Sequence, residues 1–592
     1  MSSSHKYVKD YPRPQWVRED WQLLNGEWGF RFDDSFEGER SKWYGKLDGD
    51  RTIQVPFTYE TKASGIGEEK FHPCVWYERR VSIPSQTGDK RVVLHFQAVD
   101  YLAKVWVNGI YVGSHEGGYA AFSFDITDAA VIGGDNRITV RVEDGNSTMQ
   151  PRGKQRWIDR NYGCWYVQTT GIWQSVWLEY VDALHVKRAK ITPRLEDAAV
   201  TFDYELGGTV RSFEGLTLQT IIRFNGELIR STETNVDRAF LKVELSVMND
   251  VGEWKVHAWH PNSPNLYDAE VVLKKDGRPV DTVYTYFGMR RIAIKGSNIL
   301  LNNHPIYQRL LLDQGYWEES HLTPPSEEAI IEDIEKTLAL GFNGVRKHQK
   351  VEDPRYLYWA DRKGLLVWSE IAATYEFGDD AVQRFTKEWM EVVQQHYNHP
   401  SIVTWVAFNE SWGIGNVSRD RKTQAFTESI YHWTKSFDQM RPVLVNDGWE
   451  HTISDIVTLH DYEELGSALE ARYKDKDKLL GNDVAHDRHR FPFAEGYGYR
   501  GQPVMITEYG GIAFKSEDGW GYGNQVKNEE EFLKRYESIT QAIKSLDYVC
   551  GFCYTQLTDV QQEVNGLLTI KREPKLDMEK IKRITADRAG RN

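Results

Sequence analysis

The first third of the chain alternates apolar and polar positions in short runs separated by turns. Residues 1–182 include RVVLHFQAV, FSFDIT and NRITVRVED, and this period of two is typical of strands with one buried face. Asn108-Gly109 stands between the apolar runs 103–107 and 110–112, which predicts a tight hairpin turn. The pattern therefore predicts an antiparallel β-sandwich over residues 1–182.

Strand-like runs continue over residues 183–288 and then stop. VTFDYEL, LTLQTIIRF, LKVELSV and EVVLKK belong to a stretch of about 105 residues with about seven strands, the size of an immunoglobulin-like sandwich. We therefore predict a second β-sandwich over 183–288, built without a disulfide.

From residue 289 onward helical and strand patterns alternate. EEAIIEDIEKTLALG is an amphipathic helix with Ser326 as its cap, and FNGVRKH, PRYLYWADRKG, LLVWSEI and AVQRFTKEWMEVVQQHYN follow as strand, helix, strand and helix. Strands separated by helices indicate a parallel sheet, and about 300 residues suit a closed (β/α)8 TIM barrel. The barrel is predicted over 289–592.

Composition and charge narrow the class of partner. A chain of 592 residues with a net charge of −14 is too long for one core and lacks the basic surface that nucleic acid requires. Residues 1–20 contain no apolar signal-peptide core, and no segment approaches 18 apolar residues. We expect three domains, no nucleic-acid or membrane partner, and a cytoplasmic location.

The cysteines give a weak signal for a redox or zinc site. Cys550 and Cys553 form a C-x-x-C pair, but no second cysteine pair or histidine pair lies near them. We interpret them as two thiols packed in a buried strand.

Two buried strands each end in a glutamate. The apolar run 402–408 in SIVTWVAFNESWG leads to Glu410, and the run 504–507 in QPVMITEYGG leads to Glu508. Unbroken apolar runs are typical of parallel strands, and barrel enzymes carry their chemistry at the carboxyl ends of such strands. Two carboxylates at one barrel face are the minimum equipment for cleaving a glycosidic bond.

Nine distinctive motifs follow one another along the whole chain. They are VWVNGIYVGSHEGGYAAFSFDIT (105–127), GIWQSVWLE (171–179), WHPNSPNLY (259–267), YFGMRRI (286–292), GFNGVRKH (341–348), DRKGLLVWSE (361–370), NHPSIVTWVAFNESWG (398–413), ITEYGG (506–511) and YTQLTDVQQEVNGLL (554–568). Their order resembles glycoside hydrolase family 2, the family of β-galactosidases, β-glucuronidases and β-mannosidases. The resemblance implies a jelly-roll sandwich, an immunoglobulin-like sandwich and a catalytic TIM barrel.

The resemblance also implies hydrolysis by double displacement with retention of configuration. Glu410 would be the acid/base and Glu508 the nucleophile, with their carboxyl groups about 5–5.5 Å apart. The mechanism further requires that Glu410 hold a proton near neutral pH while Glu508 does not.

Seven further positions match or adjoin residues of the family's site, and three tryptophans are candidate stacking platforms for the sugar face. They are Asn409, Arg346, His348, Glu370, His460, Tyr462, Tyr509, Trp412, Trp449 and Trp520. Asn409 would bind the sugar 2-hydroxyl and Arg346 would keep Glu508 ionised, whereas packing beneath the site is an equal alternative for Tyr509. The basic loop 152–155 is interpreted as solvated, with reach over the barrel as the alternative.

The glycone stays open because several family motifs are altered. The R-x-x-H-Y-P stretch of many β-galactosidases appears as RKHQKVEDP (346–354), with Gln349 at the histidine position. The N-x-K motif by which β-glucuronidases hold a carboxylate is absent after Asn565, although Lys347 or Lys350 could receive an acid. A β-D-galactoside or α-L-arabinoside is expected first and a uronic acid second.

No cofactor is expected, and no metal, because the metal ligands of large β-galactosidases have no counterpart here. The expected partner is a small oligosaccharide or glycoside, and a homo-oligomer remains open because many relatives form one. A catalytically silent carbohydrate-binding protein is the alternative from another class. It would be expected to have lost one carboxylate, and both are present.

Overall fold

The computed structural model describes residues 6–88, 90–208, 212–248, 255–486, 489–516 and 518–586. These residues form two β-sandwiches followed by a parallel barrel, as the hydrophobic patterns predict. Jelly-roll and immunoglobulin-like sandwiches followed by a TIM barrel therefore describe the fold class. We propose the domain limits 1–182, 183–288 and 289–592.

The first sandwich packs a four-stranded sheet on a six-stranded sheet. Its strands are β1 (Trp21–Leu23), β2 (Gly26–Phe32), β3 (Arg51–Val55), β4 (Cys74–Ser82), β5 (Arg91–Phe96), β6 (Val99–Asp100), β7 (Leu102–Val107), β8 (Ile110–Glu116), β9 (Phe122–Asp125), β10 (Asp135–Glu143), β11 (Gly171–Ile172) and β12 (Val176–Val181). The orders are β1-β12-β5-β9 and β3-β2-β4-β10-β7-β8, with β11 paired to β6.

The predicted hairpin joins β7 to β8. Asn108 and Gly109 have φ values of 53° and 81°, the paired positive dihedrals of a type I′ turn. Short 3-10 turns at Lys62–Ser64, Ser85–Thr87 and Leu195–Asp197 complete the loops of the sandwich region.

The second sandwich has sheets of three and four strands. Its strands are β13 (His185–Arg194), β14 (Ala199–Gly207), β15 (Leu216–Phe224), β16 (Glu227–Asn235), β17 (Phe240–Ser246), β18 (Trp259–His260), β19 (Ser263–Pro264), β20 (Tyr267–Lys275) and β21 (Arg278–Phe287). The sheet orders are β13-β14-β17 and β16-β15-β20-β21, with β18 and β19 as a separate pair.

A small antiparallel sheet leads into the barrel. Its strands are β22 (Ile292–Lys295), β23 (Asn298–Leu301) and β24 (His304–Pro305). The barrel strands are β25 (Gln308–Asp313), β26 (Gly344–Lys347), β27 (Leu366–Glu370), β28 (Ile402–Asn409), β29 (Val443–Asp447), β30 (Val457–His460), β31 (Val504–Gly510) and β32 (Val549–Thr555).

Helices cover the outside of the barrel. They are α1 (Glu327–Ala339), α2 (Pro354–Lys363), α3 (Asp379–His396), α4 (Arg421–Phe437), α5 (Gly466–Tyr473), α6 (Lys476–Leu480), α7 (Glu529–Ser545) and α8 (Met578–Ala586). The predicted cap of α1 is present, because the Ser326 side chain accepts a hydrogen bond from the Ala329 amide at 3.2 Å.

The barrel is hydrogen-bonded in the order β29-β28-β27-β26-β25-β32-β31-β30, so the ladder is open between β29 and β30. No helix lies in the described segment between these two strands. The Gly448 amide instead donates to the Thr458 hydroxyl at 3.0 Å across the gap.

An apolar layer fills the barrel beneath the strand ends. It includes Leu310, Trp368, Leu444, Met505 and Cys553, all fully buried. Side chains two residues apart on a strand face the same way, so Glu370 stands above Trp368 on β27. The carboxyl ends of the strands thus carry polar groups on an apolar floor.

The structure agrees with the prediction that the C-x-x-C pair consists of two thiols packed in a strand. Cys550 and Cys553 both lie in β32, and each is a free thiol. Within the described ranges, no helix is both long enough and apolar enough to cross a membrane.

Candidate active site

Glu410 and Glu508 meet at the carboxyl ends of the barrel strands. Glu410 follows β28 directly and Glu508 lies near the end of β31. One carboxylate oxygen of each lies within 4.8 Å of the other, which suits the short separation of a retaining pair better than the 6.5–9.5 Å or so of an inverting pair. The Glu410 side chain is 22% exposed and that of Glu508 is 5% exposed, so Glu410 is the one closer to solvent.

A sharp turn after β28 aims Glu410 into the pocket. Glu410 and Ser411 have φ values of 51° and 59°, a left-handed conformation that is rare for residues other than glycine. The Glu410 amide donates to the Asp447 carbonyl at 2.8 Å, and the Ser411 amide donates to the Asn446 side chain at 3.0 Å. Contacts with the neighbouring strand β29 therefore hold the turn.

Arg346 is fully buried and contacts several polar side chains of the site. Its Nε donates to Glu370 Oε2 at 2.6 Å, its Nη1 to Glu508 Oε1 at 2.8 Å, and its Nη2 to Asn409 Oδ1 at 2.6 Å. Nη1 also lies 2.6 Å from Asp447 Oδ2. One guanidinium thus fixes the orientation of Glu508 and of the Asn409 amide.

His460 links both glutamates to Asp447. Its Nδ1 lies 2.8 Å from Glu410 Oε1 and 3.5 Å from Glu508 Oε2, and its Nε2 lies 3.4 Å from Asp447 Oδ2. Burial alone would lower the pKa of His460, but Glu508, Asp447 and Glu410 raise it to about 10. The ring is therefore an imidazolium at neutral pH.

The proton distribution differs from the prediction for Glu410. Burial raises the pKa of Glu410, but the hydrogen bond and charge of His460, with smaller contributions from Lys154 and Arg346, bring it below the usual value. In the open site the proton resides on His460 and Glu410 is ionised. That Glu410 holds a proton near neutral pH stays a prediction for the substrate-bound enzyme, because the neighbouring imidazolium, which the motif does not reveal, lowers the pKa of Glu410 in the open site.

Tyr462 and His348 lie around the nucleophile position. The Tyr462 hydroxyl donates to Glu508 Oε2 at 2.6 Å, and its ring stacks on Tyr522 with centroids 3.4 Å apart. His348 Nδ1 lies 3.3 Å from Glu370 and 4.0 Å from Glu508. Burial, then the charges of Lys154 and Arg346, hold the pKa of His348 well below its usual value, so the ring is neutral.

Aromatic side chains border the pocket. Trp449 contacts the His460 ring edge-on at 5.6 Å. Trp412, two residues beyond Glu410, contacts Trp165 at 5.6 Å and Tyr375 at 5.3 Å. These contacts place Trp449 beside His460 and Trp412 in a group of aromatic side chains that follows Glu410.

Trp520 contacts the first domain and a tyrosine of the barrel. Its Nε1 donates to the Gly163 carbonyl at 2.9 Å, and its ring meets Tyr522 edge-on at 5.3 Å. It therefore supports Tyr522, which in turn stacks on Tyr462.

Tyr509 does not face the site. Its hydroxyl is paired with that of Thr540 in α7 at 3.1 Å, and its ring packs against Phe552 and Tyr554. Adjacent residues on a strand face opposite sides, so Glu508 pointing inward sends Tyr509 outward. Its assignment as a substrate-binding residue is wrong, and the packing alternative holds.

Lys347 and Lys350 are occupied within the protein. Lys347 Nζ lies 2.6 Å from Asp313 and 2.7 Å from Glu352, and Lys350 Nζ lies 3.1 Å from Glu352. Lys350 also donates to the carbonyls of Gly315 and Leu322, both at 2.8 Å. The suggestion that either lysine receives a substrate acid is wrong, because buried carboxylates already neutralise them.

The basic loop of the first domain does reach over the barrel. The amides of Arg152 and Gly153 donate to the Ala373 carbonyl at 3.0 and 3.1 Å. Gly153 has φ of 59°, and a Cβ there would lie 2.5 Å from the Gln349 carbonyl oxygen. The interpretation as a solvated loop is wrong, since the loop is docked against barrel residues.

Two acidic residues of the site were missed in the sequence. Asp447 ends the apolar run of β29 in the same way that Asn409 ends β28, and this pattern could have revealed it. Glu563 accepts hydrogen bonds from Tyr166 and, at 3.0 Å, from Asn565 Nδ2. It lies in a loop, without a strand pattern to indicate its position.

Glu410, His460 and Glu508 each direct one potential metal-ligand atom into a common space. His460 Nδ1 already lies 2.8 Å from Glu410 Oε1 and its Nε2 3.4 Å from Asp447 Oδ2, so hydrogen bonds within the protein account for this arrangement without an ion. We therefore propose no metal for this cluster.

Three family models match successive parts of the amino-acid sequence. They are the sugar binding domain of "Glycosyl hydrolases family 2" over residues 21–180, "Glycosyl hydrolases family 2" over 184–290, and the TIM barrel domain of that family over 292–587. The barrel model alone matches half of the 592 residues.

Individual relatives differ in the extent of the match. A β-galactosidase of Thermoanaerobacter pseudethanolicus is 28% identical over 353 residues, which are 58% of this chain and 46% of that protein. This chain thus spans about half the length of that relative. A β-glucuronidase of Paenibacillus borealis is 23% identical over 600 residues, covering 93% of this chain and 94% of that protein.

A solved structure shares the fold. The β-glucuronidase from Ruminococcus gnavus in complex with D-glucuronic acid superposes with a TM-score of 0.79 at 20% identity, covering 98% of this chain and all of that one. At this identity the likeness speaks for the fold alone.

Proposed function

Because the chain belongs to glycoside hydrolase family 2, we propose that it is a retaining, exo-acting β-glycosidase that removes a terminal uronic acid. The observation that carries the reaction type is the approach of Glu410 and Glu508 to within 4.8 Å. The relatives favour a uronide over the galactoside that was expected first, because the match extending over 93% of the chain is to a β-glucuronidase.

In the first step Glu508 attacks the anomeric carbon and the glycosidic bond breaks. Arg346 and Tyr462 hold the two oxygens of Glu508 by hydrogen bonds of 2.8 and 2.6 Å, which directs a lone pair towards the sugar. The leaving oxygen takes a proton from Glu410, so that the departing group is an alcohol and the sugar is esterified to Glu508.

The proton for that step comes from His460. Its Nδ1 lies 2.8 Å from Glu410 Oε1, close enough for direct transfer. Displacement of water by the sugar makes separated charges costlier than a neutral pair, so substrate binding favours the proton on Glu410. In the second step Glu410 removes a proton from water, whose oxygen attacks the anomeric carbon and releases Glu508.

In this mechanism Asn409 would bind the sugar 2-hydroxyl. Its Oδ1 accepts from Arg346 at 2.6 Å, so the amide nitrogen points away from the guanidinium. A hydrogen bond to the 2-hydroxyl that strengthens in the oxocarbenium-like transition state can contribute several kcal/mol.

A panel of nitrophenyl glycosides tests the proposal. The panel contains the β-glucuronide, β-galacturonide, β-glucoside, β-galactoside and α-L-arabinoside. We expect kcat/KM for a uronide to exceed that of its neutral counterpart by at least about 100-fold, as buried charge pairing commonly provides. NMR of the first-formed sugar should show the β-anomer. Preference for a neutral glycoside would overturn the proposal for a uronide, and an α-product from any of the β-glycosides would overturn retention.

β-Galactosidase activity is the second candidate. It is supported by the β-galactosidase relative, which has the higher identity of the two but matches only 58% of this chain. The β-galactoside and arabinoside in the same panel measure it directly.

A further inference from the structure

Lys154 is a cation near the catalytic carboxylates that forms no ion pair with any described residue. It lies in the loop of the first domain that docks on the barrel, and its side chain is half-buried. Among the described residues, no carboxylate oxygen lies within 4.0 Å of its Nζ. A half-buried ammonium in such a position has charge available for a ligand.

The other basic side chains near the site form ion pairs with carboxylates of the protein. Arg346 is held by Glu370, Asp447 and Glu508 at 2.6–2.8 Å. Lys347 and Lys350 share Glu352, with Lys347 also bound to Asp313. Of these four basic side chains, Lys154 alone lacks a close carboxylate in the described part of the chain.

The surroundings of Lys154 place it in the catalytic pocket. Its neighbour Gly153 lies against Gln349 and accepts from the Tyr375 hydroxyl, and Tyr375 contacts Trp412, two residues beyond Glu410. The charge of Lys154 lowers the pKa of both Glu410 and His348, in agreement with this position. Its own pKa is lowered by burial but raised above the usual value by Cys164, Tyr375, Glu563 and Glu508 together. It therefore stays charged at neutral pH.

The Cys164 thiol does not neutralise Lys154. Burial raises the pKa of Cys164 above its usual value. A thiol of that kind is uncharged at neutral pH, so it leaves the charge of the ammonium uncancelled.

The backbone around Lys154 is held on both sides. The Lys154 carbonyl accepts from the Tyr166 amide at 2.8 Å, and the Gly153 carbonyl accepts from the Tyr375 hydroxyl at 2.5 Å. Together with the contacts of Gly153 to Ala373, these bonds fix the loop relative to the barrel. The ammonium is therefore presented by a supported backbone, which lowers the entropic cost of binding.

We propose that Lys154 binds the carboxylate of the sugar and so selects uronides over neutral glycosides. The inference rests on the proposed uronidase function. In this chain the carboxylate-binding cation would come from the first domain, whereas the segment EVNGLL at 563–568 provides none.

The test compares Lys154→Met and Lys154→Arg with the wild type on paired substrates, the nitrophenyl β-glucuronide and β-glucoside or the galacturonide and galactoside. Lys187→Met is the matched control, because Lys187 pairs with Glu205 in the second sandwich and is 60% exposed. Loss of the charge also affects Glu410, but that effect acts on both substrates and cancels in the ratio of their kcat/KM values.

We expect Lys154→Met to lower the uronide-to-neutral ratio by about 30- to 1,000-fold, as truncation of one member of a desolvated charge pair does. Lys154→Arg should retain most of the ratio, and Lys187→Met all of it. Competitive inhibition by free glucuronate, but not by glucose, should weaken in parallel in Lys154→Met.

Two negative results have different meanings. If the wild type cleaves uronides and Lys154→Met lowers both substrates of a pair equally, the role of Lys154 is refuted and the uronidase proposal stands. If the wild type cleaves only neutral glycosides, the uronidase proposal fails and the role of Lys154 fails with it.

Discussion

His460 Nδ1 and Glu410 Oε1 are 2.8 Å apart, and the imidazole rather than the carboxyl group carries the proton in the open site. The proton that the leaving group needs is therefore held on His460, one hydrogen bond away from Glu410, which donates it. Charge pairing with Glu508 and Asp447 keeps the His460 imidazole protonated.

Replacing each glutamate should give different defects. Glu508→Gln removes the nucleophile and should lower kcat on the order of 10⁵-fold for every substrate, as loss of a nucleophile does in other enzymes. Glu410→Gln should cost about 10²–10⁴-fold for poor leaving groups but retain a burst of nitrophenolate from activated ones. Stopped-flow measurement of the nitrophenolate burst distinguishes the two variants. Equal and complete loss in both variants would refute the assigned roles.

The stability of the protein should depend on pH through His460. Its pKa rises from 6.5 to about 10 on folding, so its stabilising contribution is fully present below pH 6.5 and is lost as pH rises through 10. Between pH 7 and pH 9.5 the wild type should lose Tm, and His460→Asn should lose less, because it lacks this group.

The comparison is made by thermal melting of both proteins at both pH values. His432→Asn serves as control, because His432 lies on the exposed side of α4 and should follow the wild type. If His460→Asn shows the same pH dependence as the wild type, His460 is not the protonated group.

Trp412 should contribute to binding of the aglycone, the leaving group, rather than to binding of the sugar. It stands two residues after Glu410 and contacts Trp165 and Tyr375. Trp412→Ala should raise KM for aryl glycosides by about 2- to 10-fold, as loss of one aromatic contact does. The matching methyl glycoside should change much less. An equal rise in KM for both would contradict this role.

The barrel and its main carboxylates could be predicted because their signals are local. An apolar run ending in a polar residue marks a strand end, and this rule indicates Glu410 and Glu508. Asp447 obeys the same rule and was overlooked.

The remaining features depend on contacts between distant segments. Lys347 and Lys350 look available in the sequence, but Asp313 and Glu352 neutralise them only in the folded chain. The proton on His460 likewise results from three carboxylates supplied by three different strands or their ends. Local periodicity carries no information on such pairings.

The docking of Gly153 against Gln349 has a consequence for how such proteins diversify. The cleaving machinery is encoded by the last three hundred residues or so, whereas the proposed selector of the sugar is encoded far upstream, in a loop between β10 and β11. Changes in that loop could redirect the protein to another substrate while the barrel gene segment stays intact. Recombination or drift in the amino-terminal module would then be a route to new specificity.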